Sequence, residues 1–396
     1  MRARSCASLV LVASTMLLAG CGGRAYLYES VDADDLRQRA ETQSDGPLLV
    51  AATVPGREET RAIFGIDLYS QGIQPVWLEV ENSGTTLARY APVSTDHFYF
   101  SPLEVAYKNR RGYSDQSRQR MNERFNSLAM PRYVYPGQTR QGFVFTHLDS
   151  GAKGFNVDLF GPGRSYHFTF LLRVPGFVPD YARLDIDALY GDDEISHYSL
   201  EDLSGALRGI PCCSSDEQEQ AAGEPINIVL IGPDGDLLRG LLRSGWRETS
   251  VEEAAGLPQE YLYGRPQDSI FQYLTVDGNS FYELRFWLAP IESEGQHVWV
   301  GQARHYYRWL GISLLDADID NARNFAIQKF MYGQSLKSLA WLTGQEVVTA
   351  GSFWSSLITR TYFTDGYRAV LWLSGTPYSA LDINLLNWDL PPRWRE

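Results

Sequence analysis

The chain has 396 residues, of which 44% are apolar and 13% aromatic, enough to form about two or three globular domains. This composition excludes large-scale disorder. It carries 48 acidic against 35 basic residues, a formal net charge of −13, and this balance argues against a nucleic-acid partner, which requires a basic face.

The N-terminus has the pattern of a bacterial lipoprotein signal. Arg2 and Arg4 precede an apolar run that closes on Leu18-Ala19-Gly20-Cys21. This run is shorter than the ~20 apolar residues of a membrane-spanning helix. We therefore expect residues 1–20 to be a signal peptide and Cys21 to carry acyl chains such as palmitate, which anchor the chain to a membrane. No aspartate follows Cys21, which favours the outer membrane, facing the periplasm.

The next region predicts a tether followed by an all-β domain. Residues 21–46 are polar, with one predicted short helix over Asp34–Thr42, and are expected to be the tether. From residue 47, apolar and polar side chains alternate with the period of half-buried strands. The clearest cases are Val76–Glu81, Phe155–Leu159 and Tyr166–Val174. Several such strands joined by turns predict an immunoglobulin-like sandwich over residues 47–184.

One insertion in this region is basic. Between Leu103 and Arg132, seven basic residues outnumber three acidic ones, and a helix is predicted through Met121 and Phe125 to Leu128, with Asp115 as its cap. Its basic face either lies near anionic lipid phosphates or is a solvated face of a helix packed across one edge of the sandwich. The second interpretation is favoured, because charge runs are usually solvated.

Residues 185–224 are acidic and rich in small side chains, which is typical of an interdomain linker. They include the adjacent pair Cys212-Cys213. An exported compartment permits disulfides. A vicinal bridge would nevertheless be strained and would close almost no loop, so the geometry disfavours it. If it forms, it stiffens a turn.

Residues 225–396 predict an α+β domain with a mainly antiparallel sheet. A buried strand over Ile226–Gly232 leads into a helix that ends at Gly245, and a second helix is predicted over Asn321–Tyr332. Further strands are predicted around these helices, over Ile270–Val276, Tyr282–Leu288, Val298–Arg304, Leu339–Leu342 and Tyr367–Leu373.

This last region resembles the LssY C-terminal domain family. The similarity covers about Pro225 to Gly375. It rests on these motifs: Ile228-Val229-Leu230-Ile231-Gly232, Gly245-Trp246, Tyr263-Gly264-Arg265-Pro266-Gln267-Asp268, Arg285-x-Trp287, Val298-Trp299-Val300-Gly301 and Asp318-Ile319-Asp320-x-x-Arg323, and it includes Pro211-Cys212-Cys213 and Gly223-x-Pro225 ahead of them. The family pattern has histidines where this chain has Glu283 and Leu314. The resemblance implies a bacterial envelope protein. The family has no established reaction, so no mechanism follows from it.

The most site-like constellation is Asp316, Asp318 and Asp320. Three carboxylates at alternate positions begin a calcium loop, but the glycine and the distal glutamate of such a loop are replaced by Asn321 and Ile327. Two interpretations follow. The carboxylates bind a cation, or Asp318 or Asp320 caps the helix that follows, which needs only one of them and is favoured.

Histidines and arginines near this triplet complete the candidate site. His297 and His305 lie on one face of a predicted strand with Trp299 between them, yet no histidine has zinc-type spacing, and no metal or other cofactor is expected. Arg265 and Arg285 either bind a phosphate or carboxylate, or are neutralised in salt bridges by acids such as Glu283, Asp268 or Asp316. The candidate site therefore consists of Asp316, Asp318, Asp320, His305, Arg265 and Arg285.

The sequence favours a lipid-anchored, non-catalytic envelope protein that acts as a binding or assembly module through its C-terminal domain. Its partners are expected to be the membrane, through the lipid anchor, and an envelope protein or lipid. The alternative is an envelope hydrolase acting on a phosphate- or ester-bearing substrate through Asp316, Asp318, Asp320 and His305. The two differ in whether these side chains converge in one pocket with Arg265 or Arg285.

Overall fold

The computed structural model describes residues 24–96, 99–149, 152–175, 189–191, 193–218, 222–249, 259–275, 278–310, 312–343 and 362–390. It divides into two compact units. One contains the described residues of Met1–Leu148 and Asp158–Tyr166, the other those of Asp149–Val157 and His167–Glu396. The fold is β-rich with several antiparallel sheets, as the sequence predicts. Across the described ranges, no helix has both the length and the apolar character needed to cross a membrane.

The first part of the chain forms two four-stranded sheets, in the orders β1-β2-β3-β6 and β5-β4-β7-β8. The strands are β1 Glu41–Asp45, β2 Leu48–Thr53, β3 Ile73–Asn82, β4 Ala88–Tyr90, β5 Tyr133–Val134, β6 Gln138–His147, β7 Ala152–Gly161 and β8 Arg164–Arg173. The helices are α1 Ala33–Gln38, α2 Arg57–Phe64, α3 Pro92–Thr95, α4 Pro102–Asn109 and α5 Asp115–Ser127, with a 3₁₀ turn at Tyr69–Gln71.

The predicted tether is folded where the structure describes it. Tyr26 and Leu36 are buried in the core of the first unit, and the Tyr26 hydroxyl donates a hydrogen bond to the Phe64 carbonyl at 2.7 Å. The predicted helix over Asp34–Thr42 is the shorter α1, and β1 begins at Glu41 to pair with β2. The prediction of a tether was wrong for the described residues, which belong to the first unit. The polar composition of this segment hid the few apolar side chains that pack into the core.

The basic insertion forms α4 and α5. Helix α5 begins after Ser114, whose side chain, rather than that of Asp115, caps it. Its Met121 and Phe125 are buried against the β1-β2-β3-β6 sheet, in the packed arrangement that the sequence favoured. Arg124 donates two hydrogen bonds to the Ile63 carbonyl, so part of the basic charge holds the fold together.

The second unit is built on a ten-stranded sheet. Its order is β13-β16-β17-β18-β12-β21-β20-β22, with β9 beside β17 and β19 beside β18, and a smaller sheet has the order β11-β10-β14-β15. The strands are β9 Ser196–Tyr198, β10 Cys213–Ser215, β11 Ala222–Pro225, β12 Ile228–Ile231, β13 Arg247–Glu248, β14 Tyr261–Leu262, β15 Arg265–Pro266, β16 Ser269–Leu274, β17 Ser280–Ser293, β18 Gln296–Trp309, β19 Ile312–Leu315, β20 Leu336–Thr343, β21 Tyr367–Leu373 and β22 Asn384–Leu386. The helices are α6 Leu200–Arg208, α7 Asp234–Arg243 and α8 Ile319–Tyr332.

Helices cover both faces of the large sheet. On one, which we call the α7/α8 face, Leu237 of α7 and Phe330 of α8 pack against strand residues such as Phe286. On the other, the α6 face, Leu203 and Leu207 pack against residues such as Trp287, Val229 and Val300. Successive side chains of a strand point to opposite faces. Up to Leu288, the even-numbered residues of β17 therefore belong to the α7/α8 face, as do the odd-numbered residues of β18 from Trp299 to His305.

The segment that the sequence predicted as an acidic linker is folded into the second unit where the structure describes it. Within residues 185–224, β9 pairs in parallel with β17, and α6 buries Leu203 and Leu207 in the α6-face core. Ser199 caps α6 by accepting a hydrogen bond from the Asp202 amide. The exposed acidic side chains dominate the composition, but the two leucines, spaced four residues apart, provide the apolar stripe that fixes the helix to the sheet.

Candidate functional site

The acidic triplet separates into different contacts. The Asp316 carboxylate lies 3.1 Å from His305 Nδ1 and accepts a hydrogen bond from the Tyr307 hydroxyl, also at 3.1 Å. Asp318 caps α8 by accepting from the Asn321 amide at 3.2 Å, the role that the sequence favoured. Burial, with Asp316 as a lesser cause, raises the pKa of the Tyr307 hydroxyl.

Asp320 points into the protein. Its carboxylate accepts hydrogen bonds from the Asp365 amide at 2.6 Å and the Thr364 hydroxyl at 3.1 Å, and lies 3.3 Å from Arg323. Burial raises the pKa of Asp320, although Arg323 opposes that effect. The three carboxylates thus serve three structural roles. Within the described parts of the chain, no group of three His, Cys, Asp or Glu side chains is placed to hold a metal ion.

His305 and Arg285 lie on opposite faces of the sheet. His305 shares the α7/α8 face with Trp299 and Ala303 of the same strand, and its ring stacks on that of Tyr282 with centroids 4.2 Å apart. Arg285 pairs with Gln302 in register and shares the α6 face with Trp287. The structure therefore does not bring these two predicted site residues together.

Arg265 is engaged by Asp268. Its guanidinium forms a two-pronged pair with the Asp268 carboxylate at 3.0 and 2.9 Å and donates to the Tyr190 hydroxyl at 2.6 Å. It also donates to the Leu288 carbonyl at 2.7 Å. Burial acts to lower the pKa of Arg265, but the pair with Asp268 raises it overall. These contacts use the arginine as a structural cross-link.

A buried charge network occupies the α6 face around Arg304. Arg304 forms ion pairs with Glu260 and, at 2.8 Å, with Glu224, and donates to Gln302 Oε1 at 2.7 Å. Gln302 in turn donates to Ser214 Oγ at 2.8 Å. We call these five residues the Arg304 network. Alongside it, Arg285 donates to Glu283 at 2.6 Å.

The electrostatics of the Arg304 network favour charged partners. Burial alone would raise the pKa of Glu260, but Arg304 and hydrogen bonds from Ser214 and Gln302 bring it below its ordinary value. Burial raises the pKa of the neighbouring Tyr306 hydroxyl to about 12. The network is thus a buried cluster in which two carboxylates share one guanidinium.

The structure joins Cys212 and Cys213 in a vicinal disulfide, with their α-carbons 3.7 Å apart. Cys213 begins β10, which pairs with β11, and the next residue, Ser214, contributes to the Arg304 network. The Cys212 carbonyl accepts a hydrogen bond from the Ile226 amide at 2.7 Å. The bridge therefore lies at the entry to the buried strand β12.

An apolar pocket of about 160 Å³ opens on the α7/α8 face, between α7 and the sheet. We call it the apolar pocket. Adjacent strands supply one wall and α7 supplies the other, chiefly through Leu230, Phe271, Phe286, Leu237, Leu238 and Leu241. Gly301 makes room in this wall, because a β-carbon there would come within 2.5 Å of the Phe286 ring.

A chain of acids and histidines borders this pocket, and we call Asp234, His297 and Glu292 the pocket rim. Asp234, which lines the pocket at the start of α7, lies 3.1 Å from His297 Nδ1 and accepts a hydrogen bond from Trp299 Nε1 at 3.3 Å. Glu292 lies 3.4 Å from His297 Nε2 and 3.1 Å from His197. The side chains of His297 and Asp234 are 28% and 40% exposed, so the rim is open to solvent.

The chain matches no protein-family model, and no curated protein is significantly similar to it. The sequence predicted that His297, Trp299 and His305 share one face, and they do. It missed Asp234 and Glu292. A signal for Asp234 existed in its position directly after a buried strand, at the start of a helix.

Proposed function

We propose that this chain is a lipid-anchored, periplasm-facing envelope protein that binds a ligand or partner without catalysing a reaction. The lipidation proposal rests on Leu18-Ala19-Gly20-Cys21, which lies outside the described residues. The absence of an aspartate after Cys21 supports an outer-membrane destination. An immunoglobulin-like first domain and a C-terminal LssY-like domain complete the proposal, with an envelope protein or lipid as partner.

One observation carries the binding function. The apolar pocket is formed by packed leucine and phenylalanine side chains, while His305 and Arg285, two residues of the site predicted from the sequence, lie on opposite faces of the sheet. Ligand sites are typically concave and mainly apolar, with a few polar groups that orient the ligand. The pocket and its rim have this form.

The hydrolase alternative is favoured by a different observation. The contact between His305 Nδ1 and Asp316 resembles the pairing that orients a general base, and His305 Nε2 is buried without a hydrogen-bond partner among the described residues. A hydrolase of this kind would cleave chromogenic phosphate or ester substrates, and the His305→Gln variant would lose that turnover. We expect no turnover above background from either protein.

Metabolic labelling with a fatty acid tests the anchoring. Cys21→Ser should abolish label incorporation and leave the precursor uncleaved, because the thiol is the acceptor of the lipid. Cys6→Ser is the matched control, since it removes a cysteine of the same predicted signal peptide, and it should keep full labelling. Label that persists in Cys21→Ser, or that is lost from Cys6→Ser, contradicts the proposal.

A further inference from the structure

The apolar pocket has the size of a small hydrocarbon group. Its volume of about 160 Å³ is close to that of an engineered cavity of about 150 Å³ that stays dry and binds benzene. Its walls are leucine and phenylalanine side chains from α7, β12, β16 and β17. A group of roughly six carbons would therefore fill it and displace no well-bonded water.

The chemistry at the rim selects the polar end of such a ligand. Asp234 is the only ionisable side chain among the described residues that line the pocket. An ionised carboxylate has about four acceptor positions. Two contacts, from His297 and Trp299, leave acceptor capacity on the Asp234 oxygens. Its side chain is also exposed enough for a ligand to reach it.

The summed charge of the rim is negative. With His297 and the neighbouring His197 neutral, Asp234 and Glu292 give two negative charges, and one remains when either histidine is protonated. The start of α7 would otherwise favour an anion, but Asp234 and Asp236 already occupy its first turn. A cationic head is therefore attracted here, and a carboxylate or phosphate is repelled.

We infer that the apolar pocket binds an aliphatic chain of about six carbons whose cationic ammonium head lies at Asp234 on the rim. This inference rests on the proposed binding function and names its ligand class. A free alkylamine and an amine-bearing lipid offer this same chemistry. The hydrocarbon contributes affinity through apolar burial, and the head contributes orientation and discrimination.

Calorimetric titration of the full mature chain tests the inference. The starting protein is produced from Gly22 onward, without the predicted signal peptide and the lipidated cysteine, because it then carries neither the apolar signal segment nor acyl chains and needs no detergent. Linear alkylammonium ions from butyl to decyl should bind about fourfold more tightly per added methylene, levelling off at roughly six carbons. Alkyl carboxylates of equal length should bind at least about tenfold more weakly. Vesicles that contain a long-chain primary alkylamine then separate a membrane-borne amine from a free one: hexylammonium should compete with the vesicles for the protein if both use the apolar pocket.

Variants of this protein locate the site. Leu238→Phe fills the pocket and should weaken every ligand by at least about tenfold, whereas Leu381→Phe, at a leucine that is 96% exposed, should change nothing. Ser269→Val fills the pocket from the strand side if Leu238→Phe is poorly folded. Asp234→Asn should keep the dependence on chain length and lose most of the preference for ammonium, with Asp382→Asn as its exposed control.

The outcomes separate the two claims. Equal binding of amines and carboxylates, with the chain-length dependence retained, overturns the cationic head and leaves the proposed binding function standing. Absence of chain-length dependence, or binding unchanged by both pocket-filling variants, overturns the pocket as the ligand site. Tighter binding of carboxylates than of amines of equal length overturns the assignment of a cationic ligand.

Discussion

Charged side chains are buried and ion-paired on one face of the large sheet and remain partly exposed on the other. On the α6 face, Arg304 is 1% exposed and Glu260 is 2% exposed, and their charges are matched inside the protein. On the α7/α8 face, Asp234 and His297 stand at the mouth of an apolar pocket and remain partly exposed. One strand, β18, contributes Arg304 to the first cluster and His297 to the second.

The difference separates structural charges from charges that remain available. A buried ion is tolerated only with partners that replace its hydration, so those partners are fixed by the fold. A rim carboxylate keeps part of its hydration and can exchange it for a ligand. Strong ionic contacts in a buried cluster are therefore weak evidence for a catalytic centre, whereas modest contacts beside a cavity indicate binding.

The largest effect on stability is expected when the Arg304 network loses its cation. Arg304→Met should lower the free energy of unfolding by about 3–5 kcal/mol, because it leaves Glu224 and Glu260 buried without their cation. Arg308→Met, at an exposed position on the same strand, should change it by less than about 0.5 kcal/mol. Urea unfolding monitored by tryptophan fluorescence measures the free energy of unfolding of both variants. A loss below about 1 kcal/mol in Arg304→Met would contradict the assignment of Arg304 as the cation that Glu224 and Glu260 require.

The pH dependence of the free energy of unfolding tests the pairing between Arg304 and Glu260. The pKa of Glu260 is lower in the folded protein than its ordinary value, so its pairing contributes stability above about pH 4.3, which is lost as the pH falls through the folded pKa. Without Arg304, burial would raise that pKa, and protonation would stabilise the variant. The stability gap between the wild type and Arg304→Met should therefore narrow between pH 7 and about pH 4. A constant gap would exclude Glu260 as the partner.

A smaller effect concerns the acidic triplet, whose carboxylates we assign to structure. Asp318→Ala should lower the free energy of unfolding by about 0.5–2 kcal/mol, because α8 loses its cap. Calcium or magnesium should not shift the melting temperature of either protein. Asp382→Ala, at an exposed aspartate, serves as the control. A cation-dependent rise in melting that Asp318→Ala abolishes would place a metal site here.

Local patterns in the sequence predicted much of this architecture. Alternation placed Tyr282–Leu288 and Val298–Arg304 in strands, and these are the central parts of β17 and β18. The leucine stripe ending at Gly245 predicted α7. These signals are local, because the period of apolar residues follows directly from helix or strand geometry.

The candidate site depended on contacts that no local pattern contains. Asp234 meets His297 across 63 positions, which requires β18 to lie beside the start of α7. The acidic triplet was prominent because its members are close in sequence, yet successive turns aim them at different partners. Composition also misplaced residues 185–224, since surface acids outnumber the leucines that fix α6.

The most direct test compares ligand-induced stabilisation in one variant of each cluster. Hexylammonium at about 100 times its measured Kd should raise the free energy of unfolding of the wild type by about 2.7 kcal/mol. At that fixed concentration, Glu260→Gln, although less stable, should gain about the same, and Asp234→Asn should gain much less. A wild type without any gain, or a gain lost equally from Glu260→Gln and Asp234→Asn, would contradict the division between a structural and a binding face.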